Sequence, residues 1–328
     1  MSLHPRSTYV DIDGSPVHLA DYGGAADGPT IVGVHGLAGS HANWRALASS
    51  LTTHCRVMAV DLPGHGRTPR LGRSAAVSAN RLVLDRLLQD VIGEPVMLMG
   101  HSMGASLSIL QAAAEPETVS ALTLIAPPAP RARAEVPTRL AASQIALCAW
   151  PWLGHRRLSR QLRRMGAEAF VLTRLMRTCA SLESIDSLTL ELVVDLVESR
   201  ATGEDAEAAF VEAARSVGIL VARPARYMEA LTDVSCPTLL LHGDSDRLLR
   251  PEALARLVDL KPDWQVKLLE GVGHSPHLEA PDLVAELVLD HAGAAVTRST
   301  LPATVDPVSA PETAAATPVG HSDLACSF

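Results

Sequence analysis

Pro95-Val96-Met97-Leu98-Met99-Gly100-His101-Ser102-Met103-Gly104 is an apolar run that stops at a serine bracketed by glycines. The next ten residues, 105–114, are rich in alanine and leucine and read as a helix. Together they form a strand, a sharp turn and a helix. Gly100-His101-Ser102-Met103-Gly104 fits G-x-S-x-G, in which such a turn lifts the serine hydroxyl above the sheet edge. The serine there takes a sparsely populated backbone conformation, and its close neighbours must lack side chains so that strand and helix can approach. The helix directs its positive end at the serine and favours negative charge developing there. Three fixed letters in five recur by chance, so the strand before and the helix after carry the reading.

Upstream, residues 9–20 alternate apolar and polar side chains around Gly14-Ser15, which predicts an edge hairpin with its turn there. Residues 30–34 form a continuous apolar run, as expected of a strand buried on both faces. That run ends in His35-Gly36-Leu37-Ala38-Gly39-Ser40, and residues 41–51 carry Trp44, Leu47, Ala48 and Leu51 at helical spacing. Residues 56–61 are a second buried strand, left through the turn Leu62-Pro63-Gly64-His65-Gly66-Arg67-Thr68, and 74–92 read as an amphipathic helix. A strand at 119–125 precedes Pro127-Pro128-Ala129-Pro130.

From there to about Thr232 the chain is helix-forming, with candidates at 139–149, 156–178, 187–199 and 205–222. Strand and helix then alternate again through 236–243, 251–260, 265–269 and 281–291. This pattern predicts an α/β fold, a mostly parallel doubly wound sheet with right-handed crossovers and an inserted helical subdomain. The expected boundaries are 1–127 for the first part of the core, 128–232 for the insertion and 233–296 for the rest of the core. Residues 297–328, rich in Ala, Thr and Pro without periodicity, are expected to be a disordered tail.

At 328 residues and 47% hydrophobic content, the chain has enough apolar mass for one large core, which excludes wholesale disorder. A net charge of -8 argues against a nucleic-acid partner. The five cysteines, Cys55, Cys148, Cys179, Cys236 and Cys326, lack C-x-x-C or metal-site spacing and read as buried thiols in a reducing compartment. Residues 1–6 lack the apolar region of a secretory signal, and no apolar stretch reaches membrane-spanning length. The expectation is a cytoplasmic protein without stable membrane insertion.

Four motifs, taken in order, resemble the α/β-hydrolase family over roughly residues 8–296. They are His35-Gly36 after an early strand, Asp61-Leu62-Pro63-Gly64-His65-Gly66, the turn at Ser102, and a late Asp and His. A serine hydroxyl is a weak nucleophile, so the chemistry requires a base to take its proton and a third group to hold that base in the right tautomer. The family order is nucleophile, acid, histidine. Within Gly243-Asp244-Ser245-Asp246-Arg247 the resemblance selects Asp246; Asp244 is the alternative, with a plain reading as a turn-capping carboxylate. His274, in Gly271-Val272-Gly273-His274, is the implied base, and His277 is either a second candidate or a support for the loop.

The resemblance also implies two backbone oxyanion donors, the N–H groups of Leu37 and Met103, and no metal or organic cofactor. His35 is expected to order the loop beneath the site, and His101 fills a variable position. A cluster of His35, His65 and His101 lacks the acid or thiol spacing of a metal site. A serine rather than a carboxylate at the turn sets the chain apart from members that open epoxides or carbon–halogen bonds. Two departures from the common pattern, Ala105 for a second glycine and Thr68 for serine, touch none of these roles.

The insertion contains the apolar segment 145–153 with Trp150 and Trp152, which is either an acyl-binding wall or the subdomain's own core. Arg156, Arg157, Arg160, Arg163, Arg164, Arg174 and Arg177 follow. They read as a solvated face or, with Arg157 as a candidate, as contacts to an anionic substrate group. The expected function is a serine hydrolase that cleaves a small-molecule carboxylic ester through an acyl-enzyme. A carbon–carbon bond (meta-cleavage-type) or thioester hydrolase with the same three residues is the alternative, and a non-catalytic ligand receptor is a second.

Overall fold

The structure, a computed structural model, describes residues 4–130, 151–200 and 205–300. The helix expected at 139–149, Trp150, Cys148 and residues 301–328 lie outside the described residues. Eight strands form one sheet: β1 (Arg6–Ile12), β2 (Ser15–Gly24), β3 (Thr30–Val34), β4 (Arg56–Val60), β5 (Val96–His101), β6 (Val119–Ile125), β7 (Thr238–Gly243) and β8 (Gln265–Leu269). Their order is β1-β2-β4-β3-β5-β6-β7-β8. β1 and β2 pair antiparallel, as do β2 and β4, and every other pairing is parallel. The continuous apolar runs of the sequence are the parallel strands, because helices cover both of their faces.

Side-chain alternation divides the core in two. Val32, Val34, Val60, Leu98, Leu122 and Leu240 face one layer, in which Leu84, Leu107 and Leu257 of the helices pack. Ile31, Val57, Met97, Met99, Leu239 and Leu241 face the other, against Trp44, Leu47, Leu51, Val284 and Val288. The first layer is covered by α2 (Val77–Arg86), which continues into a π-helical turn, by α3 (Met103–Ala114) and by α9 (Leu254–Leu260). The second is covered by α1 (Arg45–Leu51) and α10 (Pro281–Thr300). Between β6 and β7 the chain inserts α4 (Pro151–Met165), α5 (Ala167–Thr178), α6 (Ser187–Arg200), α7 (Asp205–Ala222) and α8 (Ala225–Asp233). Arg45 Nη1 donates to Asp186 at 2.6 Å, and Arg70 pairs with Glu212, tying the insertion to the core.

Local details differ from the sequence reading for identifiable reasons. Ile12 pairs with Ser15, so the hairpin turns at Asp13-Gly14 rather than at Gly14-Ser15. Both turn residues have positive φ, 54° and 76°, and Asp11 Oδ1 accepts the Gly14 N–H, as a two-residue hairpin turn requires. The single helix expected over 156–178 is two, broken at Gly166, whose φ of 80° no helix accommodates. α8, lodged between Pro224 and Cys236-Pro237, carries too short a pattern to be read from sequence. α10 runs on to Thr300, past the expected boundary at 296.

The C-terminal ends of β3 to β8 share one edge. The chain leaves β3 for β4 on one side and later returns to β5 on the other, so the loops after β3 and β5 diverge and open a crevice between them. Residues 35–40 and Ser102 stand at that switch point. α3 crosses close behind it: a side chain on Gly104 would put its Cβ 1.9 Å from the carbonyl oxygen of Val34. Gly104→Ala is therefore expected to cost about 3 kcal/mol in urea denaturation, through overpacking against backbone. The control Gly218→Ala, on an exposed stretch of α7 with nothing near the added methyl, is expected to stabilise by about 0.5–1 kcal/mol. Equal effects at the two sites would contradict the packing argument.

Candidate active site

Ser102 is the residue between β5 and α3, with φ 51° and ψ -112°, a conformation rare for a side-chain-bearing residue. Its N–H donates to Ile125 O of β6 at 2.8 Å, which pins the turn to the sheet. Gly100 is required here, since a Cβ would meet Gly104 O at 2.5 Å and Ala105 Cα at 2.6 Å. The loop after β8 brings His274 to the serine, with its Nε2 3.1 Å from Ser102 Oγ. On the other side of the ring, His274 Nδ1 lies 2.7 Å from Asp246 Oδ2. The three residues selected by sequence, 28 and 172 positions apart, thus form one continuous hydrogen-bonded line.

Asp246 is buried at 5% exposure, and its second oxygen accepts the N–H groups of Leu248 and Leu249 at 2.7 and 2.9 Å. Burial opposes its ionisation, but His274 and these backbone donors outweigh burial and hold its pKa below the usual carboxylate value. It is an anion at neutral pH. A carboxylate beside Nδ1 makes that nitrogen the protonated one, which leaves Nε2 as the acceptor for the serine hydroxyl. Asp244, the alternative, is exposed and accepts the Gly271 N–H at 2.9 Å, the turn-capping role of its plain reading.

The two expected backbone donors lie in the loop after β3, for Leu37, and at the first residue of α3, for Met103, which directly follows the serine. Among the described residues neither N–H has a hydrogen-bond partner. Gly36 lets that loop press against His101, where a Cβ would come within 2.7 Å of its Nδ1. His35 holds the loop from below, with Nδ1 donating to Gly36 O at 2.7 Å and Nε2 accepting the Leu62 N–H at 3.1 Å. His101 Nε2 donates to the His274 carbonyl at 3.0 Å.

Sequence reading missed what holds the histidine loop. Glu279 accepts the Gly273 N–H at 3.0 Å and the Ser275 N–H at 3.1 Å, and so brackets His274 on both sides. It also accepts the Ala180 N–H of the insertion at 2.7 Å, while the His274 N–H donates to Thr178 O at 2.8 Å. A glutamate five residues past a histidine carries no local signal for such a role. Of the insertion residues singled out from sequence, Arg157 is exposed on α4 and Trp152 lies on the same helix.

His35, His65 and His101 do not form a ligand set. The metal-like group among the described residues is His18, His41 and Asp61, whose candidate ligand atoms lie within 4.8 Å of one another. Asp61 already accepts from both imidazole Nδ1 atoms at 2.8 Å and from the N–H groups of His41 and Arg67 at 2.6 and 2.8 Å. Burial alone would raise its pKa, yet the hydrogen bonds from His18 and His41 hold it well below the usual range. Its lone pairs are spent on fixing the loop after β4 to β2.

His277 makes no hydrogen bond to the serine among the described residues, whereas His274 does. His277 packs between Trp44 and His101 in tilted ring contacts, with centroids 4.8 and 4.4 Å apart, and among the described residues its buried Nδ1 has no partner. Burial, reinforced by His274, pushes its pKa down to about 3. Between pH 7 and 5 the folded protein therefore keeps His277 neutral, while the unfolded chain protonates it near pH 6.5. The unfolded state binds the extra proton, so stability falls as pH falls, by about 2 kcal/mol at pH 5 for this residue. His277→Phe, measured by urea denaturation at both pH values, is expected to lose about 2 kcal/mol less than wild type across that interval. Equal losses would contradict a neutral, buried His277.

Comparison with known proteins bears on the fold and the family. The model of the alpha/beta hydrolase family matches residues 31–287. The pimeloyl-[acyl-carrier protein] methyl ester esterase of Nitrosospira multiformis is 26% identical over 272 residues, 80% of this chain and 94% of that protein. A 2-hydroxy-6-oxononadienedioate/2-hydroxy-6-oxononatrienedioate hydrolase of Cupriavidus pinatubonensis is 25% identical, covering 84% of this chain and 90% of its own length. By contrast, the match to the dihydrolipoyllysine-residue acetyltransferase component of the acetoin cleaving system of Cupriavidus necator spans only 31% of that protein. Among solved structures, a thermophilic esterase from Thermogutta terrifontis superposes with a TM-score of 0.66 at 21% identity, over 88% of this chain and 99% of that one. The eight-stranded sheet and the family match over 31–287 agree: the chain belongs to the alpha/beta hydrolase family.

Proposed function

We propose that the protein is a serine hydrolase that cleaves carboxylic esters through an acyl-enzyme. The observation that carries this reading is the hydrogen-bonded line from Ser102 Oγ through His274 to Asp246, placed at the positive end of α3. His274 Nε2 takes the hydroxyl proton as Ser102 Oγ attacks the ester carbonyl, and Asp246 stabilises the resulting imidazolium. The carbonyl oxygen, now an alkoxide, is held by the N–H groups of Leu37 and Met103. Collapse breaks the bond to the leaving alcohol, which receives the proton from His274. A water molecule, activated by the same nitrogen, then attacks the acyl-enzyme and releases the acid. No metal or organic cofactor enters these steps.

We read residues 128–232 as a cap inserted into a core of 1–127 and 233–296, placed to shape the acyl pocket. The similarity to a methyl ester esterase supports ester chemistry, and similarity to the dienedioate hydrolase keeps carbon–carbon cleavage as the outcome to test against it. Among the described residues, no helix is long and apolar enough to cross a membrane.

The test is turnover of a p-nitrophenyl ester series together with intact-mass analysis after a fluorophosphonate probe. Wild type is expected to turn over the esters and to gain one phosphonyl adduct on Ser102; Ser102→Ala is expected to lose both. Asp246→Asn should retain the fold but lose about 10⁴-fold in kcat, since an amide presents the wrong partner to Nδ1. Labelling without ester turnover would move the substrate to thioesters or carbon–carbon bonds. Absence of both in wild type would overturn the reading.

A further inference from the structure

Arg174 lies on α5 one helical turn before Thr178, whose carbonyl accepts the His274 N–H. Its guanidinium carbon sits 4.6 Å from the centre of the Phe210 ring and 5.6 Å from that of Phe170. Phe210 forms a buried cluster with Leu158 and Val211, and Leu37 and Phe170 pack against the same cluster. The cationic group is thus fixed within an apolar patch that reaches the loop after β3. It also rides on the helix whose last turn supports the loop of His274.

Stacking engages only the two faces of a guanidinium and leaves its five N–H donors in the plane, free to meet an acceptor edge-on. Among the described residues those donors have no carboxylate or other hydrogen-bond acceptor. Burial, and then the like charge of Arg177, push the pKa of Arg174 down to about 10, with no acid offsetting them. Two other arginines withdrawn from solvent meet carboxylates, Arg45 with Asp186 and Arg70 with Glu212. Arg157, Arg160, Arg163 and Arg164 are exposed on α4, where water screens them. Arg174 is half-buried, its guanidinium covered by two rings with no carboxylate beside it among the described residues, and an incoming carboxylate would compensate that partial loss of water.

We propose that Arg174 is the specificity-determining residue of the site and that the preferred substrate is an ester bearing a carboxylate on its acyl part, bound edge-on by this guanidinium. This assignment rests on the ester-hydrolase reading above.

The experiment compares kcat/KM for monomethyl adipate and methyl hexanoate, esters of one chain length that differ in a terminal carboxylate. Wild type is expected to prefer the adipate by about 10- to 100-fold, the range of a charged hydrogen-bonded pair. Arg174→Gln is expected to abolish that preference while methyl hexanoate hydrolysis stays within about twofold. Arg174→Lys, which keeps the charge without the planar fork, is expected to retain an intermediate preference. Arg163→Gln removes an exposed charge from α4 and should leave the ratio unchanged. A wild-type ratio near one, a parallel loss on both esters in Arg174→Gln, or a ratio that survives it would overturn the assignment. Fluorophosphonate labelling, run alongside, separates the two levels. A labelled Ser102 with any of those results, or with neither ester turned over, overturns the role of Arg174 alone. An unlabelled and inactive wild type overturns the hydrolase reading and this assignment with it.

Discussion

Gly104 of α3 approaches the end of β3 so closely that even a methyl group would collide with the Val34 carbonyl. That contact sets where the helix begins, and with it the backbone of the residue before it. Ser102 is left at φ 51° and ψ -112°, a conformation that costs on the order of 1–3 kcal/mol and persists only where the surroundings impose it. The hydrogen bond to Ile125 O and the side-chain-free position at Gly100 complete the constraint. The hydroxyl is then presented above the sheet edge at the positive end of a twelve-residue helix. His274 and Asp246 gain their arrangement from the same sheet, since β7 and β8 end at that edge in parallel register.

The inserted helices are joined to this arrangement through the loop that bears His274. Thr178 O receives the N–H of His274, and Glu279 accepts N–H groups from Gly273, Ser275 and Ala180. Cys179, Ile185 and Leu278 close a small apolar cluster over the same junction. A loop with positional freedom would place the imidazole only on average, and small misplacements are expensive in such chemistry. Here the loop is fixed from the core and from the insertion at once, so the elements proposed to select substrate share a boundary with the base proposed to act on it.

The parts legible in the sequence are those whose physical demands are local. Parallel strands buried on both faces need apolar runs, and the residues at 31–34, 96–99 and 239–241 supply them. The Ser102 turn demands glycines at fixed offsets, which a few letters record. Position within a motif favours Asp246 over Asp244; in the fold Asp246 is buried and Asp244 exposed. What the sequence hides depends on contacts between distant segments. Glu279 also reaches Ala180, 99 positions away, and Arg174 meets Phe210, a residue of another helix. Along the chain, Arg157 and Arg174 look alike; in the fold one is solvated and the other is stacked. The hairpin turns at Asp13-Gly14, one residue before the Gly14-Ser15 that its pattern suggests, because aspartate tolerates positive φ where its neighbours assist.

The central claim is that Ser102 attacks an acyl group whose oxygen then rests between two backbone donors. A crystal structure of the protein after reaction with a fluorophosphonate addresses it most directly, because the phosphonyl group mimics the tetrahedral intermediate. The account predicts phosphorus bonded to Ser102 Oγ, its oxygen within about 2.7–3.1 Å of the N–H groups of both Leu37 and Met103, and His274 still against Asp246. Phosphorus on another residue, or its oxygen turned away from those two donors, would contradict it.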